Sequence, residues 1–71
     1  MMIETKRLKM TFTRNSGDAM EFGTLEVLDK KHGVTHTESG VLQRHPQLLL
    51  DHASVMVAEG ADKLRAEGKI K

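Results

Sequence analysis

Seventy-one residues are enough for one small domain, and the sequence is read as a single unit over residues 1–71. The chain has no Cys, Trp or Tyr and two Phe, Phe12 and Phe22, which excludes disulfide and zinc–thiolate chemistry and leaves few large rings for a core. Eleven Lys and Arg against ten Asp and Glu give a net charge of +1, a balance that counts against nucleic acid as the main partner.

Residues Thr5 to Arg14 alternate at period two, with Leu8, Met10 and Phe12 on one face and Lys9, Thr11 and Thr13 on the other. This predicts a half-buried strand over about residues 5–14. Asn15-Ser16-Gly17-Asp18 is a turn signal. A three-residue loop, Asn15-Ser16-Gly17, would pair Arg14 with Asp18, Phe12 with Met20 and Met10 with Phe22, keeping the apolar side chains on one face. The second strand is expected over about residues 19–28, where Leu25 and Val27 fall out of phase with Met20 and Phe22. A β-bulge at Gly23-Thr24 would restore the phase. Asp29 to Gly33 reads as a second turn, and a short third strand over about residues 34–37 would pair Val34 with Val27. Residues Glu38 to Arg44 read as a turn or a short helical lead-in.

Pro46 suits the first turn of a helix. From there to about residue 67 the period is 3.6. Leu49, Leu50, Ala53, Met56, Val57, Gly60, Ala61 and Leu64 share one face, while Asp51, Glu59 and Asp62 lie opposite. Gly60 costs about 1 kcal/mol in helix propensity relative to Ala, so a close approach of this face to the sheet is expected to compensate. Glu59 and Lys63 are spaced for an i,i+4 ion pair, and Gly68 ends the helix. The fold expected is α+β: a three-stranded antiparallel meander followed by one long amphipathic helix packed on one face (β-β-β-α).

No part of this pattern carries a catalytic or cofactor motif. His32, His36, His45 and His52 lack the spacing of known metal sites and read as surface or edge residues. One sheet layer and one helix are expected to leave no room for a pocket of about 300 Å³. No enzyme activity, metal or cofactor is therefore expected. Met1 to Arg14 has no signal-peptide core and no run reaches the roughly 20 apolar residues of a membrane span, so a cytoplasmic protein without membrane contact is expected.

The most informative surplus is on the back of the helix. Leu48 and Val55 are seven residues apart, away from the core face, bordered by His52 and Glu59. Helix-on-sheet packing has no use for this stripe, and scaffolds this small often gain stability by associating. The expectation is a non-enzymatic protein-interaction module, such as an inhibitor, adaptor or assembly subunit, that binds through the stripe or a strand edge and self-associates, most simply as a dimer. Small accessory proteins of phages and mobile elements share this size profile. The alternative is a nucleic-acid-binding regulator using the basic strand residues Lys6, Arg7, Lys9 and Arg14 together with the basic C-terminus.

Overall fold

The computed structural model describes residues 1–14 and 22–70. The architecture is α+β. Four antiparallel strands, β1 (Met2–Glu4), β2 (Leu8–Arg14), β3 (Phe22–Asp29) and β4 (Val34–Leu42), lie in the order β1-β2-β3-β4. One helix, α1 (Pro46–Ala66), packs on the sheet. Class and packing agree with the sequence reading, but the sheet has four strands where three were expected.

The extra strand comes from the N-terminus. Residues 5–14 are not one strand, because the chain reverses at Thr5-Lys6-Arg7. The Thr5 hydroxyl accepts hydrogen bonds from the Arg7 and Leu8 amides at 3.3 and 3.2 Å, and the Thr5 amide donates to the Leu8 carbonyl at 2.8 Å. This local competition by a hydroxyl breaks the strand. β1 then pairs with β2, setting Ile3 opposite Met10 and Glu4 opposite Lys9. β1 and β4 are therefore the sheet edges, and the basic first strand is internal.

The β2–β3 register also differs from expectation. Phe12 opposes Leu25, Met10 opposes Val27 and Arg14 opposes Gly23, in place of pairings with Met20, Phe22 and Asp18. The predicted turn at Asn15-Ser16-Gly17 lies outside the described residues. In this register Met10, Leu25 and Val27 are all fully buried, without any bulge in the β2–β3 ladder. The irregularity instead falls between β3 and β4, where Gly23 opposes Val41 and Leu25 opposes Glu38. Thr24 thus faces two residues, Ser39 and Gly40, so the extra residue is in β4. Gly40 has φ +70, a conformation that favours glycine at a bulge. Because the bulge absorbs Glu38 to Gly40 into the strand, β4 continues to Leu42, and no helical lead-in forms there. Val27 accordingly opposes His36, not Val34.

α1 closes the core. Pro46 occupies its first turn, and the amide of Gln47 donates to Nδ1 of the N-cap residue His45 at 3.3 Å. Leu49 and Ala53 are buried against Leu8, Met10, Phe12, Leu25, Val27 and Val41, with Leu50, Met56 and Val57 packed around them. The expected close approach at Gly60 is present, but it is made against a side chain. A Cβ on Gly60 would overlap the His36 imidazole, whose Nε2 is buried and without a hydrogen-bond partner. Glu59 and Lys63 are not within ion-pair distance; the helix surface carries an Arg65–Asp62 pair at 3.1 Å instead.

Gly60→Ala sets a helix-propensity gain of about 1 kcal/mol against an overpacking cost of about 1–3 kcal/mol. The overlap with His36 decides the sign, and the substitution is expected to lower the urea midpoint. Combining it with His36→Ala should make the Gly60→Ala increment favourable. Additive, independent effects of the two changes in urea melts would show that the imidazole and the glycine are not in contact.

Candidate functional site

The helix stripe and the sheet edge, two separate candidates in the sequence, lie side by side. The residue that joins them is His52. Its Nε2 lies 2.7 Å from the Glu38 carboxylate of edge strand β4, so this flank of α1 overhangs that edge. Leu48 is four residues before His52, Val55 three after and Glu59 seven after, so all four share that flank. Leu48 and Val55 are 52% and 51% exposed, and Leu42, at the end of β4, is 40% exposed. A cleft of about 380 Å³ connects the parts, lined by Leu42, Gly40 and Glu38 of β4, by Leu48 and His52 of α1, and by Phe22 and Arg44.

β4 is the longer of the two edges, and before its bulge at Gly40 it carries few of the usual protections. It has nine residues and contains neither Pro nor Lys, whereas the opposite edge, β1, has three. From Val34 to Ser39 its outer backbone groups face no strand among the described residues. An extended segment laid there would bring alternate side chains under the Leu48–Val55 flank. Chemically, the surface offers main-chain hydrogen bonds along one line and apolar contacts along another, with Glu38, His52 and Arg44 as a polar rim.

The basic residues do not form one surface. Lys6 and Arg7 are exposed in the β1–β2 turn, and Arg14 is at the far end of β2. Lys9 lies on the outer sheet face, opposite Glu4 and Leu28 and beside Thr11, Glu26 and Thr35.

Each histidine has a separate local role. His45 caps α1, His36 lies under Gly60, His52 meets Glu38, and His32 belongs to the β3–β4 turn. Among the described residues, no group of three or more His, Asp or Glu side chains is placed to hold a metal ion. The expectation of no pocket, however, is corrected. Besides the β4 cleft, a second of about 360 Å³ opens by the C-terminal half of α1. Small residues at both places, Gly40 and Ala61, leave the volume unfilled.

Asp29 is the functional-looking residue that sequence reading passed over. It is 2% exposed, on the core face of β3. Its Oδ1 accepts from the amides of Lys31 at 3.0 Å and His32 at 3.4 Å, and its Oδ2 lies 2.7 Å from Nδ1 of His32. Burial raises the pKa of this carboxyl, but the hydrogen bonds from the His32 ring and the two amides outweigh it, and the net shift is downward from 3.8. An Asp opening a five-residue turn with His three positions on was the available signal. A second tie crosses the same end of the sheet: Lys30 donates to Glu4 at 2.6 Å and to the Thr5 carbonyl at 2.8 Å, and its amide donates to the Arg7 carbonyl at 3.0 Å. The Lys30 ammonium holds the Glu4 carboxyl below its usual value.

Against known proteins the chain finds no match: no family model, no curated protein and no solved structure is significantly similar to it.

Because the folded-state pKa of Asp29 is depressed, its stabilising contribution is complete above the unfolded-state value and is lost as pH falls through the lower folded value. Asp29→Asn is therefore expected to lower the melting temperature at neutral pH and to flatten the melting curve's pH dependence below about pH 4. Wild type and variant showing parallel pH profiles would mean that the carboxylate is not held in this way.

Proposed function

We propose that this domain is a non-enzymatic protein-interaction module, and that its binding surface combines the Leu48–His52–Val55–Glu59 flank of α1 with the edge of β4. The observation that carries this reading is the His52–Glu38 contact, which sets an exposed apolar helix flank alongside a long strand edge. Either feature alone is ordinary, since single exposed apolar residues are common on any surface. Together they match the mode in which a partner adds a strand to a sheet and packs its side chains against a neighbouring helix. An inhibitor, an adaptor or an assembly subunit would use such a surface.

Self-association is part of the proposal. A chain of 71 residues without disulfides has a thin stability margin, and a second copy meeting the β4 edge would extend the sheet and cover Leu42 and Leu48. A dimer is the simplest such assembly.

Sedimentation velocity tests this on wild type and on Leu48→Asp and Val55→Asp. Both side chains are about half exposed, so the variants should fold with the stability of the isolated wild-type chain to within about 0.5 kcal/mol, read at low protein concentration. Each should weaken association by more than about 1 kcal/mol. Thr37→Lys, on the open edge, should weaken it as well. The proposal fails if wild type is monomeric at all concentrations and neither substitution alters capture of any partner.

A further inference from the structure

The second cleft lies away from the proposed protein-binding surface. It is lined by Arg7 from the β1–β2 turn, by Asp29, Lys31 and His32 from the β3–β4 turn, and by small apolar residues of α1, among them Val57 and Ala61. Three features set it apart from an ordinary surface crease.

The single acid in the cleft is already engaged. Both oxygens of Asp29 are occupied, by two backbone amides and by the His32 ring. A carboxylate only accepts, so Nδ1 of His32 carries the hydrogen, and Nε2 is the nitrogen left for another partner. The imidazole is thereby oriented by a buried group, as His ligands and acid–base residues commonly are.

The cations, by contrast, are uncommitted. Among the described residues, no carboxylate lies within ion-pair distance of Arg7 or Lys31, while Lys30 beside them is paired with Glu4. The two turns that meet here carry Lys6, Arg7, Lys30 and Lys31 against Glu4 and Asp29, an excess of two positive charges on a chain whose total is +1. The remaining wall is apolar and made of short side chains, so the charges face a surface that water wets poorly.

We propose that this cleft binds a small organic oxyanion, with the head group held by Arg7, Lys31 and His32 and a short apolar body lying against Val57 and Ala61. The guanidinium fork suits a carboxylate or a phosphate monoester, Lys31 adds a mobile point charge, and His32 presents Nε2, the nitrogen that Asp29 leaves free. The volume of about 360 Å³ is near the lower end for small-molecule sites, which limits the apolar body to a few carbons. The chemistry shared by the two head groups is what the cleft recognises.

The test is a nuclear magnetic resonance titration of the full chain at constant ionic strength with sodium hexanoate, hexyl phosphate and inorganic phosphate. Saturable shifts confined to Arg7, Lys31, His32, Val57 and Ala61 are expected with an alkyl probe below about 10 mM, and the tighter of the two identifies the head group. Arg7→Ala and Lys31→Ala should each weaken binding about tenfold. Ala58→Phe, at an exposed helix position lining the cleft, should block the apolar part while leaving the cations in place. Leu48→Asp should have no effect, which separates this site from the protein-binding surface. The proposal is overturned by the absence of localised shifts, or by equal binding of inorganic phosphate that ignores Ala58→Phe. It is also overturned if a DNA or RNA oligonucleotide binds across Arg7 and Lys31 and hexanoate does not compete.

Discussion

The constraint on which the rest of the structure depends is how closely one helix can lie on one sheet. Among the described residues, nothing but α1 covers the core. With two Phe and no Trp or Tyr, large rings cannot fill a wide gap, so the gap has to be narrow. Ala53 and Gly60 make it narrow: Ala53 is fully buried, and Gly60 receives the His36 ring where a methyl group would stand. Met10, Leu25, Val27 and Leu49 can then fill the space that remains, each almost completely removed from water. The approach also determines the flanks. A helix held this low brings His52 within reach of Glu38, and so brings Leu48 and Val55 down beside the edge strand.

The domain consequently has two unlike ends. At one, β4 and the start of α1 present Leu42 and Leu48 with a sparse polar rim. At the other, Lys30 ties the β3–β4 turn to Glu4 and Thr5, Asp29 and His32 brace that turn from within, and among the described residues Arg7 and Lys31 are not in ion pairs. The near-neutral total conceals this separation, because acids and bases are distributed unequally along the sheet.

The parts of the fold that repeat at a fixed period were legible in the sequence. Leu8, Met10 and Phe12 mark a strand by alternation, and Leu49, Ala53, Met56 and Gly60 mark the core face of a helix. The parts that depend on partner choice were not. The register of β2 against β3 was one: a three-residue loop at Asn15-Ser16-Gly17 with a bulge at Gly23-Thr24 keeps apolar side chains on one face, and so does the observed pairing of Phe12 with Leu25 and Met10 with Val27. β1 is three residues long, too short for any period to show. The second half of β4 reads as a turn because Gly40 needs at a bulge the same left-handed backbone that turns use. At the candidate sites the same distinction applies. The stripe Leu48–Val55 follows from helical spacing, whereas its position beside β4 depends on the crossing direction of α1, which no local pattern encodes. Asp29 looked like an ordinary turn residue, and its burial arises only once α1 covers that end of β3.

The bulge at Gly40 has a consequence for the lifetime of any contact made at this edge. Regular backbone in β4 is interrupted after Ser39, so an added strand would meet regular backbone only over Val34–Ser39. Six residues supply few main-chain bonds, each of modest net value in water. Contacts of that length exchange rapidly unless side chains at Leu42 and Leu48 hold the partner in place. If the edge is used as proposed, the glycine would limit residence time and would shorten the stretch over which a sheet could be extended.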